Sequence, residues 1–232
     1  MRFFWLIYGL TATLLIGSLA NIFLRLPIEK TQGVVQKIFF FHVPSAFAMY
    51  LFLSLGALFS VVYLIQRNVT YDSAAKASML VASLFGALVM VSGPLWAKPV
   101  WGVYWAWDPR LTTSFIVFML LIAYLVTRKV FDDREGGTTK GAFVGAILAV
   151  VACLNIPLIH YSVRIWRGLH PSVLRDPEGL PPVYRNAFET MIFAIFLFGF
   201  LLAILAFWIY QTQKRVHALR RNFLQERSED SL

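Results

Sequence analysis

Four histidines are the side chains in this sequence best suited to bind a metal or to move a proton. His42 stands two residues before Pro44 at the start of an apolar run, and His160 and His170 border the segment that follows another such run. His217 lies in a charged C-terminal stretch, where simple solvation is expected. A single histidine at the end of an apolar run is more often a filler than a ligand. Two or three on one side of a membrane favour ligation, so His42 and His170, each at a loop boundary, are the predicted metal ligands, and His160 stays open.

Tryptophan is concentrated in one short segment, since four of the seven lie between positions 96 and 107. Tryptophan commonly anchors a helix end at a membrane interface, and one or two rings suffice for that purpose. The density here predicts a broad apolar shelf, formed by Trp101, Tyr104, Trp105 and Trp107, that suits a flat hydrophobic ring system. If this segment is helical, Trp101, Tyr104 and Trp105 share one face at the i, i+3, i+4 spacing.

The tryptophan-rich segment ends in Asp108-Pro109-Arg110, which is typical of a helix start. The Asp108 carboxylate can accept hydrogen bonds from the first backbone amides, and Pro109 loses nothing at the first helical position. A helix capped in this way would hold the shelf and Arg110 in a fixed geometry. The planar guanidinium of Arg110 is a predicted partner for a propionate-like carboxylate.

An aromatic shelf, two imidazoles and an arginine together predict a haem site, because neutral histidine is the usual protein ligand to haem iron. The predicted cofactor is haem b, held transiently and without a covalent bond. Cys153 is the single cysteine and lies inside an apolar run, which excludes thiol chemistry and thioether attachment to this chain. The predicted haem contacts are Trp101, Trp105, Trp107, Asp108, Arg110, His42 and His170.

The elements that position these residues are predicted from composition, since 59% of the residues are apolar and only 14% are charged. Six uncharged runs have about the 20 residues that a bilayer-spanning helix needs. None shows the alternation of a membrane strand. The predicted fold is an all-α polytopic bundle of six transmembrane helices, one membrane-embedded domain over residues 1–232, with runs at Phe3–Leu24, Pro44–Ile65, Ala77–Ala97, Leu111–Thr127, Gly141–Ile159 and Thr190–Tyr210.

The orientation is predicted from the basic residues, of which 12 fall on one side and nine on the other. The more basic side carries both termini and is expected in the cytoplasm, including a tail over residues 211–232. The tryptophan-rich outer loop, residues 96–110, then faces the opposite side with His42 and His170. The first run resembles a secretory signal, but its length favours an uncut anchor. Basic residues on the outer side are expected to meet lipid headgroups or an anionic ligand, not nucleic acid.

Two other classes of membrane protein are weighed against a haem-handling protein. A quinone-linked b-type cytochrome would place histidine ligands on facing positions within its helices, and this chain has no histidine inside a run away from its ends. A solute transporter or ABC permease would show broken helices or polar groups near the middle of the bilayer. No Walker sequence, glycine-rich nucleotide loop or Ser-His-Asp set is present.

Three segments carry a family resemblance: Trp101-Gly-x-x-Trp105-x-Trp107-Asp108-x-Arg110-Leu-Thr-Thr, Phe-His42-Val-Pro-Ser-Ala, and Ser-Val-Arg-Ile-Trp-Arg-Gly-Leu-His170-Pro. The first resembles the tryptophan-rich (WWD) signature of the haem-handling proteins of cytochrome c biogenesis. The other two resemble the histidine-bearing outer segments of the CcmC family, which is the short, six-span branch. The likeness covers nearly the whole chain.

This resemblance implies a haem-binding protein of the cytoplasmic (inner) membrane that presents haem at the outer face. It further implies transfer of haem to a CcmE-like periplasmic carrier in cytochrome c maturation, in association with a CcmD-like small membrane protein and a CcmA/CcmB-like ABC transporter. A binding and transfer protein is expected, not an enzyme. The alternative within the same relationship is the haem-binding part of a CcsA-like or CcmF-like cytochrome c synthase.

Overall fold

The computed structural model describes residues 2–135, 139–166, 170 and 180–229. The described residues form six long α-helices. They are α1 (Arg2–Ala20), α2 (Phe39–Gln66), α3 (Val69–Trp101), α4 (Pro109–Glu135), α5 (Thr139–Trp166) and α6 (Pro182–Glu229). A π-helical turn, Asn21–Arg25, continues α1, and a 3₁₀ turn, Val34–Ile38, leads into α2.

All six helices are long and apolar enough to cross a membrane, which confirms the predicted all-α, six-span membrane bundle. The helices extend beyond the apolar runs from which they were predicted. The α3 helix includes the polar turn before Ala77 and continues to Trp101, and α2 begins at Phe39 instead of Pro44. The apolar runs therefore marked only the middle of each of these two helices.

Local capping explains how the chain turns between α2 and α3. Arg67 follows α2 in the left-handed conformation, with φ of 56°, and its backbone N–H donates to the carbonyl of Tyr63. The Asn68 side chain then accepts a hydrogen bond of 2.9 Å from the backbone N–H of Thr70, which caps the start of α3. Because this connection is only two residues long, α2 and α3 are antiparallel neighbours.

The core of the bundle lies around α2, which packs against α3, α5 and α6, while α4 lies along α5 and α1 contacts α6. Small residues permit close approach of these helices. A Cβ atom built at Gly56 of α2 would lie 2.7 Å from the sulfur of Met79 on α3, so a larger residue there would require the Met79 side chain to shift. Phe52 and Phe85 stack nearby with ring centroids 6.3 Å apart.

The last helix, α6, runs without interruption from the membrane span through the predicted tail. Its 48 residues correspond to a length of ~72 Å at 1.5 Å per residue. At its N-terminal end, Phe188 stacks on Phe39 and Tyr184 stacks on Phe40, with centroid separations of 5.3 and 5.9 Å. The start of α6 is therefore packed directly against the start of α2.

Candidate functional site

A cavity of about 300 Å³ lies at the end of the bundle where α3 ends and α2 and α4 begin. That volume is at the lower end of the range for small-molecule sites. Its lining includes both predicted ligands, His42 and His170, as well as Arg110 and the three tryptophans at positions 96, 101 and 105. The structure therefore brings together most of the predicted site residues, which come from three separate parts of the chain.

His42 lies in the first turn of α2 and is half-buried. Its Nδ1 lies 2.8 Å from the hydroxyl oxygen of Ser92 on α3. The same Ser92 hydroxyl donates a hydrogen bond of 2.6 Å to the carbonyl of Leu88, one turn earlier in α3. Ser92 therefore fixes the rotation of the His42 ring against the neighbouring helix.

His170 contacts Arg110 directly, with the guanidinium Nη1 at 3.0 Å from the imidazole Nδ1. The Arg110 Nε also donates a longer hydrogen bond, 3.3 Å, to the carbonyl of Ile159 near the end of α5. Arg110 thus connects the start of α4 to α5 and to His170. Arg110, which was predicted to bind a carboxylate, therefore lies beside His170, one of the two predicted metal ligands.

Asp108 caps α4, as the sequence predicts. Its carboxylate Oδ1 accepts a hydrogen bond of 2.8 Å from the backbone N–H of Arg110, and its backbone carbonyl accepts one of 2.9 Å from Thr112. Pro109 is the first residue of the helix. The Asp108 side chain is buried, and it lies outside the cavity lining, so it orients Arg110 through the backbone of the helix start.

The tryptophan-rich segment is not one continuous helix. The α3 helix ends at Trp101, because Gly102 adopts φ of +78° and its N–H donates to the carbonyl of Lys98. The single helical face that Trp101, Tyr104 and Trp105 would share is therefore absent. The rings form two edge-to-face groups instead, Trp96 with Trp101 at 5.1 Å, and Trp105 with Trp107 at 5.9 Å.

The two groups contribute differently to the cavity. Trp96, Trp101 and Trp105 line it, whereas Trp107 is 76% exposed and lies outside the lining. Trp105 and Trp107 both pack on Phe115 of α4, at 6.0 and 6.5 Å. Phe115 thereby ties the non-helical residues 102–108 to the helix that carries Arg110.

The loop before α2 also supports the tryptophans that line the cavity, and the sequence did not predict this contact. Trp96 donates its indole N–H to the side-chain oxygen of Gln32 over 3.1 Å. Gln32 is held by a tight turn in which the Glu29 carboxylate accepts hydrogen bonds from the backbone N–H groups of Gln32, at 2.5 Å, and Thr31, at 2.8 Å. These bonds lower the pKa of Glu29 below its usual value. A glutamine in a polar loop gives no sequence signal for such a contact.

The remaining two histidines are placed very differently. His160 is exposed, lines the cavity and packs edge-to-face on Tyr161 at 5.2 Å. His217 is exposed on the part of α6 that corresponds to the predicted tail, among basic residues. Ser92, beside the cavity, and Tyr50 and Ser114, which line it, are polar groups that the sequence did not single out.

Comparison with known proteins gives a consistent family. The family model described as heme exporter protein C matches residues 1–231. Heme exporter protein C of Bradyrhizobium diazoefficiens is 29% identical over 87% of this chain and 72% of that protein. The protein of the same name in Escherichia coli is 30% identical over 77% of this chain and 71% of its own length. A putative cytochrome c biosynthesis ccmC-like mitochondrial protein of Marchantia polymorpha is 29% identical, covering 81% and 77% of the two chains.

Proposed function

The chain belongs to the heme exporter protein C (CcmC) family, and from that premise we propose that it binds haem b at the cavity and passes it on for cytochrome c maturation. One observation carries the proposal: His42, His170, and the segment with Arg110 and three tryptophans, which are three separate parts of the chain, line the same cavity. The binding is non-covalent and transient, because the cargo has to leave again.

Each group in the cavity has a distinct part in this proposal. His42 and His170 supply imidazole nitrogens to the two faces of the haem iron. Trp101 and Trp105 provide apolar surface for the porphyrin ring, and Trp107 extends that surface outside the cavity. Arg110, oriented by the Asp108 cap, binds a propionate through its planar fork.

The direction of transfer follows from the proposed orientation. With both termini in the cytoplasm, the cavity opens on the periplasmic side of the inner membrane, where a CcmE-like carrier would receive the haem. A CcmD-like small membrane protein and a CcmA/CcmB-like ABC transporter are the proposed partners. The chain itself acts as a binding and transfer protein, since its sequence carries no nucleotide-binding motif or hydrolytic set.

A spectrum of the purified protein tests this function most directly. Protein expressed in haem-replete cells, or mixed with ferric haem in detergent, should show a Soret band whose position indicates two histidine ligands. The pyridine haemochrome spectrum should identify haem b, and acid–acetone should extract all of it. A protein that stays colourless in both preparations would contradict the proposed function.

A further inference from the structure

The hydrogen-bond partners of His42 and His170 place these two imidazoles in opposite tautomers. Building on the proposed function, we propose that the site loads haem in a fixed order. His42 binds the iron first, and His170 binds it second, after Arg110 has moved from the His170 ring to a carboxylate of the porphyrin. The bond between His170 and iron therefore forms only when the bound porphyrin has a carboxylate that Arg110 can bind.

The tautomer of His42 follows from the single proton of the Ser92 hydroxyl. That proton is donated to the carbonyl of Leu88, at 2.6 Å, so the Ser92 oxygen can only accept at its 2.8 Å contact with His42. The His42 Nδ1 must therefore carry the hydrogen. In a neutral imidazole the Nε2 atom then keeps its lone pair, which is the state that binds a metal. Such a hydrogen bond from the other ring nitrogen is the usual support of a metal-bound histidine.

His170 is in the opposite state because its partner is an arginine. A guanidinium has only donors, so at the 3.0 Å contact the His170 Nδ1 must accept the hydrogen bond from Arg110. The hydrogen of the neutral ring is then on Nε2, and Nδ1 is occupied by Arg110. Neither nitrogen of His170 offers a lone pair to iron while this contact persists.

A porphyrin carboxylate draws Arg110 away from His170, because a carboxylate attracts the guanidinium more strongly than a neutral imidazole does. When Arg110 turns to the carboxylate, the proton leaves His170 Nε2 for solvent and another is taken up at Nδ1, with no change in net charge. The Nε2 lone pair then forms the second bond to iron. The backbone of Arg110 stays in place through this exchange, since Asp108 holds its N–H at 2.8 Å.

A comparison of unmodified haem with its dimethyl ester, which lacks the carboxylates, distinguishes this fixed order from simple binding by two histidines. Stopped-flow spectra of the full-length protein in detergent should show two phases with ferric haem. A five-coordinate, high-spin species should form first, followed by a six-coordinate, low-spin species. With the ester, the protein should stop at the first species. Formation of the six-coordinate species from the ester at the rate seen with haem would overturn the proposal, and so would failure of the ester to bind.

Two sets of variants identify the residues responsible. Arg110→Ala should let the ester proceed to the six-coordinate species, because His170 is no longer held, and Arg110→Met should do the same without leaving a cavity. Ser92→Ala should weaken the first phase by about 10-fold, within the range for a residue that supports a metal ligand. Ser92→Thr, which keeps a hydroxyl with the same helical partner, should restore it.

The failure of this proposal is distinguishable from failure of the proposed function. If the unmodified protein binds no haem, the function itself is wrong. If it binds haem through two histidines but the ester behaves like haem, or Ser92→Ala leaves the first phase unchanged, only the fixed order is wrong. Each variant is first checked for a single symmetric peak in size-exclusion chromatography, and the comparison of haem with its ester needs no variant at all.

Discussion

Arg128 donates two hydrogen bonds to the carboxylate of Asp72, from Nη1 to Oδ1 at 2.5 Å and from Nη2 to Oδ2 at 3.0 Å. Both side chains are buried, and the ammonium of Lys214 lies 3.0 Å from the same Oδ2. This network joins α3, α4 and α6 at the end of the bundle opposite the cavity. A buried arginine is tolerated there only because a carboxylate lies against it.

Replacing Asp72 should therefore destabilise the bundle strongly. In Asp72→Asn the buried guanidinium of Arg128 loses the charge of the Asp72 carboxylate, at a cost of about 3–5 kcal/mol. The melting temperature in detergent should fall, whereas Lys214→Gln should lower it much less, since Lys214 is partly exposed. The haem spectrum of folded Asp72→Asn should be unchanged, because the cavity is at the other end. A melting temperature equal to that of the unmodified protein would contradict the assigned role of Asp72.

Removing either predicted ligand should change haem binding in a way that removing a distant histidine does not. His42→Ala and His170→Ala should each lose the six-coordinate spectrum and the ability to support cytochrome c assembly. His217→Ala is the matched control, because His217 is exposed on the tail part of α6. His160→Ala shows whether this third lining histidine takes part. Unchanged spectra and normal assembly in both ligand variants would disprove the ligand assignment.

Gly102 ends α3 in a conformation that other residues rarely adopt, so Gly102→Ala should reduce stability by about 1 kcal/mol. The same change should disturb Trp101 and Trp105 on either side and weaken haem binding. Gly9→Ala is the control, since a Cβ atom built at Gly9 inside α1 has nothing within 4 Å, and alanine there should be neutral or slightly stabilising. The melting temperature should fall in Gly102→Ala and should stay the same or rise in Gly9→Ala, and an equal fall in both variants would argue against the cap.

Asp108→Ala should remove the cap of α4, with a loss of about 1 kcal/mol, and should weaken haem binding through the displaced Arg110. Asp108→Asn keeps a cap of similar strength and should retain both stability and haem binding. The comparison separates a capping role from a direct contact between the carboxylate and haem. If Asp108→Asn lost haem while keeping the melting temperature, the carboxylate itself would be the functional group.

The orientation is tested with reporter fusions after Asp132, near Arg175 and at Leu232. Cytoplasmic, external and cytoplasmic signals are expected in that order. An even number of spans puts both termini on the same side, and the larger number of basic residues there favours the cytoplasm. Arg175 and Leu232 lie outside the described residues, but both serve as fusion points, as does Asp132. An internal signal near Arg175 would exclude delivery of haem to a periplasmic carrier.

Local signals in the sequence predicted the parts of the site that depend on neighbouring residues. The cap of Asp108 on Arg110 is such a case, because both partners lie within three residues of each other. Ser92 was not predicted, because its partner His42 is 50 residues away and a single serine inside an apolar helix has no distinguishing pattern. The contact between Gln32 and Trp96 spans 64 residues and was missed for the same reason.

The arrangement of the tryptophans around the cavity shows a different limit of prediction from sequence. The sequence contains a local signal, glycine directly after Trp101, that is typical of a helix end. The spacing of the tryptophans alone favoured one helical face, and the glycine decides against it. The full extent of α6 was also not predicted, because hydropathy reveals the apolar span but not the polar helical residues that continue it.

The uninterrupted course of α6 has a mechanical consequence. Its first turns stack on Phe39 and Phe40 beside His42, and Lys214 joins the Asp72 network at the far end of the bundle. Residues 211–229 of α6, which follow the predicted span, extend ~28 Å beyond it at 1.5 Å per residue. A tilt of α6 by ~10° would move its C-terminal end by ~5 Å relative to the point where the helix leaves the membrane. The same tilt would also displace the first turns of α6 beside the cavity, so a movement at either end of this helix is transmitted to the other.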